Sequence, residues 1–232
     1  MHKRVKVRVY PTIKQTVMLE NHFNAFRYFY NLCLEYKKTL WSDHKVNISG
    51  YDMAKEILQI RKETGWLLNC KAECVREAAY QVDKSYKNFF KGRGFPKFKS
   101  KHGTQSFHAY QAISTKGNKL KFFKNQIKFK TSNEYKETLE LSKIKQVTFK
   151  RDLVGDYWAT FLIEDNRDLI LEKNDNCIGL DLGIKHLIIT SSGKVFENNK
   201  FLEKEKYNLK KLQRKFAKTK KGGKNRVKLR KK

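Results

Sequence analysis

Cys177-Ile178-Gly179-Leu180-Asp181-Leu182-Gly183, continued by Ile184-Lys185-His186-Leu187-Ile188-Ile189-Thr190, reads as a strand, a sharp glycine turn and a second strand. The turn Ser191-Ser192-Gly193-Lys194 then sends the chain back into a third. Asp181 interrupts the apolar run, at a place where burying a carboxylate is costly unless something offsets it. The spacing leaves two readings open. The carboxylate is a hard oxygen ligand that holds Mg²⁺ against a phosphate, or it caps the local turn through neighbouring backbone N–H groups.

Working outward towards the N-terminus, residues 166–176 are polar and irregular enough for a linker. Before them the hydrophobic period is two. Candidate strands are 106–112, 118–123, 126–130, 144–151 and 157–164, separated by hairpin-type connections at Lys116-Gly117-Asn118, Lys124-Asn125 and Val154-Gly155-Asp156. The chain also begins with this period, Val5, Val7 and Val9 on one face and Lys6 and Arg8 on the other. A lone strand needs partners, so the first strand is expected to return to the later ones. Residues 1–10 plus 104–165 then form a small β-barrel, with residues 12–91 inserted as a helical bundle and 92–103 as a basic connecting loop.

Within the insertion, Thr12 is the expected N-cap of a long helix to about Trp41, on which Leu19, Phe23, Phe26, Tyr30 and Leu34 recur at three- and four-residue steps. Ser49 is expected to cap a second helix to about Arg61. Asn69 is expected to cap a third to about Lys91, with Cys74, Ala78, Val82, Tyr86, Phe89 and Phe90 facing inward. Three such helices resemble a helix-turn-helix unit, but aromatic stripes at this spacing are read here as core packing. The expected fold class is α+β.

The 232 residues hold 52 Lys and Arg against 23 Asp and Glu, a net charge of +29. With 39% hydrophobic residues there is enough apolar material for a core, so the charge sits on a folded surface rather than on a disordered tail. Such a surface calls for a polyanion, and nucleic acid is the expected partner. An anionic membrane is the other candidate. No apolar run approaches the ~18 residues of a spanning helix, and the N-terminus lacks a signal-peptide core, so a cytoplasmic, nucleoid-associated protein without membrane contact is expected. The scattered Cys33, Cys70, Cys74 and Cys177 fit a reducing compartment. Cys70 and Cys74 share a helix face but have no further Cys or His at finger spacing, so they are read as packing thiols and no zinc is expected.

Several motifs fall in order. Tyr10-Pro-Thr follows the Lys/Arg-alternating strand, Gly94-Phe-Pro-Lys-Phe-Lys-Ser-Lys101 follows the third helix, and Gly179-Leu-Asp-Leu-Gly-Ile-Lys-His-Leu-Ile-Ile-Thr190 comes last. Together they closely resemble the TnpB/OrfB family, transposon-encoded RNA-guided nucleases related to type V CRISPR effectors. The resemblance implies a wedge-type barrel with an inserted recognition lobe, then a RuvC-like nuclease domain of RNase H-like fold beginning at residue 177. It implies Mg²⁺-dependent cleavage of DNA selected by a guide RNA, with Asp181 as the first catalytic carboxylate and a metal ligand.

This chain also departs from that pattern. A RuvC-type site needs a later Glu and a late Asp, and the family carries a four-cysteine zinc ribbon between them. After Asp181 there is no Asp and no Cys, and the acidic residues are Glu197, Glu203 and Glu205. The expectation is a C-terminally truncated member that binds guide RNA and DNA but does not cut alone. The rival readings are a complete non-catalytic RNA- or DNA-binding protein, such as a guide-dependent repressor, and a small intact nuclease using Asp181 with Glu197.

Two basic patches are the candidate contacts. Residues 200–232 carry 16 Lys and Arg against two Glu, on a helix expected from Phe201 to about Lys221. Leu202, Leu209, Leu212 and Phe216 recur on one side, so the helix is expected to dock by that face and present Lys211, Arg214, Lys215, Lys218 and Lys221 to phosphates. The second patch offers Lys91, Arg93, Lys97, Lys99 and Lys101 for backbone contact, with Phe95 and Phe98 as candidate stacking faces.

Overall fold

A computed structural model describes residues 2–164 and 177–231, which divide into two units, Met1–Asn166 and Arg167–Lys232. The linker expected at 166–176 lies outside the described residues. These residues form an α+β fold with a seven-stranded antiparallel sheet, a three-stranded sheet and six α-helices.

In the first unit, β1 (His2–Tyr10) leads into α1 (Ile13–His44), α2 (Gly50–Glu63), a 3₁₀ turn at Gly65–Asn69 and α3 (Ala72–Phe90). Then follow β2 (Gln105–Ala109), β3 (Ser114–Lys116), β4 (Lys119–Phe122), β5 (Asn125–Lys130), α4 (Asn133–Leu141), β6 (Lys143–Arg151) and β7 (Tyr157–Glu164). The strand order is β2-β6-β7-β1-β5-β4-β3. The first strand therefore sits inside the sheet, paired to β7 from His2↔Glu164 to Val9↔Tyr157 and to β5 from Arg8↔Lys130 to Tyr10↔Lys128. Residues 11–104 thus lie between two strands of that sheet, β1 and β2.

The sheet is strongly curled. Phe107 of β2 and Phe122 of β4 are five strand positions apart, about 24 Å on a flat sheet at ordinary strand spacing, yet their ring centroids are 5.7 Å apart. Phe149 of β6 closes the same cluster at 4.7 Å from Phe122. Into it α1 inserts His22, stacked on Phe107 at 5.2 Å and edge-on to Phe122 and Phe123. One nitrogen of His22 donates to the Met18 carbonyl at 2.8 Å and the other accepts from the Lys71 N–H at 3.1 Å, so the ring is held as one neutral tautomer. Burial depresses its pKa to about 4.

The long helix starts where its cap is expected: Thr12 accepts from the Gln15 N–H, and the Gln15 side chain accepts from the Thr12 N–H, a capping box. Ser49 caps α2 through the Asp52 N–H. The third helix departs from expectation. Asn69 lies in the 3₁₀ turn and α3 begins after Lys71, with no side-chain cap. Phe90 is 78% exposed and Phe89 half-exposed, so these two do not enter the bundle core. Cys33, Cys70 and Cys74 are buried, and desolvation pushes all three thiols up, Cys70 to about 11.

The expected strand 106–112 ends at Ala109. Glu73, at the start of α3, accepts from the Tyr110 and Gln111 N–H groups at 3.4 and 3.1 Å, so those donors leave the ladder. Ala112 then takes a left-handed backbone, φ +51°. Residues 133–141, which the alternating pattern did not predict as helix, form α4 capped by Ser132.

In the second unit, β8 (Leu180–Leu182), β9 (His186–Thr190) and β10 (Val195–Glu197) pair in the order β10-β9-β8, followed by α5 (Phe201–Ala217) and α6 (Lys224–Lys231). The strand-turn-strand-turn-strand reading of this stretch matches the structure. The helix from Phe201 stops at Ala217 instead of Lys221. The Thr219 hydroxyl donates to the Phe216 carbonyl at 2.6 Å, and Gly222 turns the chain at φ +82° into α6. No residue of α5 is fully buried, and Leu202 is 77% exposed. Among the described residues no helix is long and apolar enough to cross a membrane.

Candidate nucleic-acid interface and carboxylate

Asp181 lies in the middle of β8, directly opposite Ile189 of β9. Its strand is exposed along its whole length. The glycines flanking it serve close backbone approach. The Gly179 carbonyl accepts from the Ser191 N–H at 2.8 Å and the Gly179 N–H donates to the Ser191 hydroxyl at 3.0 Å, tying β8 to the far end of β9. At Gly183 a Cβ would stand 3.0 Å from the His186 carbonyl oxygen, so the turn between the strands needs glycine.

Ladder partners share a face of a sheet, and neighbours along a strand alternate. Asp181, Ile189 and Val195 therefore share one face, while Leu182, Ile188 and Phe196 share the other. Continuing this register would set Glu197 opposite Leu187, on the face of Asp181. A bulge between Phe196 and Glu197 pairs it with His186 instead. The His186 Nδ1 lies 3.1 Å from both Glu197 carboxylate oxygens. Glu197 is thus engaged by His186 across the β9–β10 pair. Among the described residues no group of three His, Cys, Asp or Glu is placed to hold a metal. Asp181 alone does not fit a Mg²⁺ site, which requires several oxygen ligands.

The basic candidates fall into two local arrangements. Tyr207, Lys210, Lys211, Arg214, Lys215 and Lys218 line a shallow groove of about 220 Å³ along α5, and all of these are exposed. The turn after it is held by Arg226, whose guanidinium lies 3.9 Å above the Phe216 ring and donates to the Phe216 and Thr219 carbonyls. Lys221 lies in that exposed turn, outside the groove.

After α3, Lys91, Arg93, Lys97, Lys99 and Lys101 lie on an exposed loop. Lys99 is the most constrained of them. Asn31 of α1 brackets its backbone, accepting from its N–H at 2.8 Å and donating to its carbonyl at 3.0 Å. Its ammonium sits over Tyr30 at 4.4 Å. Desolvation beside the rings lowers its pKa, although the side chain still reaches solvent. Phe95 packs edge-on to Tyr86 and Phe89 at 5.6 and 5.2 Å and remains half-exposed, as does Phe98.

A third basic surface was not among the candidates. On the face of the large sheet turned away from Val5, Val7 and Val9, the register aligns Ser106, Lys150, Trp158, Arg8 and Lys130 in one row. Lys6 caps the Trp158 ring at 4.4 Å, and Arg8 lies 6.0 Å from it while pairing with Asp156 at 2.7 Å. The alternation of Lys and Arg in β1 was its signal; the strand order that adds Lys150 and Lys130 was not available to local reading.

A family model described as a helix-turn-helix domain, of the OrfB type, matches residues 1–45. Here those residues are a strand and one unbroken helix. A second OrfB model, described as a probable transposase, matches residues 160–232. A Streptomyces pristinaespiralis protein named as an RNA-guided DNA endonuclease is 26% identical over 234 residues, covering 98% of this chain and 57% of its own length. The Escherichia coli K12 protein InsQ, also named as an RNA-guided DNA endonuclease, is 22% identical over 91% of this chain and 53% of its own. The chain thus spans little more than half the length of these relatives. A solved Cas12f1–sgRNA–target DNA complex aligns with all of this chain and 64% of its own at 14% identity and a TM-score of 0.40. Two family models matched in order, and two relatives aligned along almost the whole chain, place this protein in the TnpB/OrfB family of insertion-sequence transposases and RNA-guided nucleases.

Proposed function

We propose that these 232 residues hold guide RNA and DNA for an RNA-guided endonuclease of this family, and that by themselves they bind nucleic acid without cutting it. In this reading residues 1–10 plus 104–165 are a wedge-like barrel, 12–91 an inserted recognition lobe and 177–232 the first part of a RuvC-like domain. Asp181 is one carboxylate of a magnesium cage whose other ligands are not among the described residues.

The observation that carries the reading is how the charges are distributed. Lys150, Arg8, Lys130 and Lys6 are aligned on one face of the large sheet, and the α5 cations line a single groove. Glu197 is engaged by His186, and among the described residues no group of three metal-ligating side chains forms around Asp181. Rows of cations supply backbone affinity without reading sequence, which base pairing with a guide would do instead.

Filter binding of structured RNA and of duplex DNA across salt concentrations tests this. Contact with six or more phosphates predicts an affinity loss of about a thousandfold or more between 50 and 200 mM salt. Affinity that barely changes with salt would refute phosphate holding.

A further inference from the structure

We propose that the junction of α1, α3 and the loop after α3 is a pocket for one unpaired nucleotide, its base received between aromatic rings and its phosphate held at a lysine rim. This rests on the nucleic-acid-binding reading above and adds a site to it.

The pocket encloses about 420 Å³, and its walls are mainly Trp41, Tyr86, Phe89, Phe90 and Phe95. The rings are mutually braced: Phe95 meets Phe89 and Tyr86 edge-on, and Phe90 lies 5.4 Å from Phe89. Trp41 and Phe90 nevertheless remain 57% and 78% exposed. Large rings left open beside one another are costly in water and offer π faces to a planar guest.

The floor is polar and already satisfied. The buried Lys37 donates to the Ile48 carbonyl and to Asp83, and lies over Tyr86 at 5.3 Å. Lys87 closes the other side of Asp83 at 3.0 Å. The charge of Asp83 is thereby matched, and the cations Lys38 and Lys87 at the mouth set its polarity. Asn47 adds an amide, able both to donate to and to accept from the edge of a base. An apolar peptide would use the rings and leave the lysines idle. A paired base presents only its edges and cannot enter. An unstacked base with its own phosphate uses both parts, and each such stack is worth about a tenfold or larger gain in affinity.

The test uses the full chain and a single strand carrying 2-aminopurine, in RNA and DNA forms, each also annealed to its complement. Expected are quenching of the base analogue in one or both single strands and none in the duplexes. The sugar form that quenches more identifies the source of the nucleotide. Phe90→Ala, at an exposed position that folding does not need, is expected to weaken the quenching strand about tenfold and abolish quenching, with Phe90→Tyr restoring both. Duplex affinity and its salt slope should stay unchanged in Phe90→Ala. Tight, salt-steep binding without quenching, or quenching untouched by Phe90→Ala, would overturn the pocket and leave the phosphate-holding account standing. Absence of any binding would sink both.

Discussion

Glu197 pairs with His186 across the three-stranded sheet, and the cause is a single-residue bulge that moves its partner on β9 from Leu187 to His186. Asp181 and Glu197, on the two outer strands of one small sheet, look like a pair in sequence. One residue of register decides which side chain of β9 a carboxylate of β10 meets. The consequence is that the Glu197 carboxylate lies 3.1 Å from the His186 Nδ1.

Asp181→Ala should be silent in this chain. The residue is exposed and its backbone pairing does not depend on its side chain, so unfolding stability should move by no more than about 0.5 kcal/mol. Nucleic-acid affinity should hold or rise slightly as one negative charge is removed. Chemical denaturation and filter binding of the variant check this.

His22 makes the first unit sensitive to mild acid. Its folded pKa of about 4 lies below the ordinary 6.5, so the unfolded chain binds a proton between those values and the folded chain does not. Stability is complete above pH 6.5, falls as pH drops, and the loss from this residue is complete near pH 4, at about 3 kcal/mol. Urea titrations from pH 7 to 4, with His22→Gln as control, should show the fall in the parent and a flatter profile in the variant.

The cationic row on the large sheet predicts a graded effect. Lys6→Gln and Lys150→Gln should each reduce the slope of log affinity against log salt by about 1, equally for unrelated sequences. Lys6→Gln should also cost about 0.5 kcal/mol of stability through its lost contact with Trp158. A change confined to one nucleic-acid sequence would point away from phosphate contact.

Glu73 is the latch between α3 and the end of β2. Glu73→Ala leaves the Tyr110 and Gln111 N–H groups without their acceptor and Lys71 without its 3.0 Å ion pair. A loss of about 2–3 kcal/mol follows from orphaning partly buried donors and a charge. Thermal unfolding measures it, and Glu73→Gln, which keeps an acceptor, should lose less.

What the residues disclosed and what they hid have physical reasons. The alternation at Val5, Val7 and Val9 and the cap at Thr12 are local signals, and β1 and α1 follow them closely. The return of β1 into the sheet was legible because a single strand cannot satisfy its own backbone. The end of β2 was not legible: Glu73, 37 residues from Tyr110, takes the donors that would have extended it. The exposure of Phe90 was hidden too, because helical spacing places a ring on a stripe and cannot say where the opposing surface stops. At the candidate site, Asp181 was visible as a charge inside an apolar run. The bulge that pairs Glu197 with His186 leaves no trace in composition, and the row through Lys150, Arg8 and Lys130 depends on strand order.

Incubation of supercoiled plasmid with the RNA-loaded 232-residue chain and Mg²⁺ tests the central claim most directly. The account predicts that the plasmid is bound, with retarded migration reversed by salt, and that after deproteination it is recovered entirely supercoiled. Recovery of nicked or linear plasmid from the parent chain but not from Asp181→Ala would contradict it.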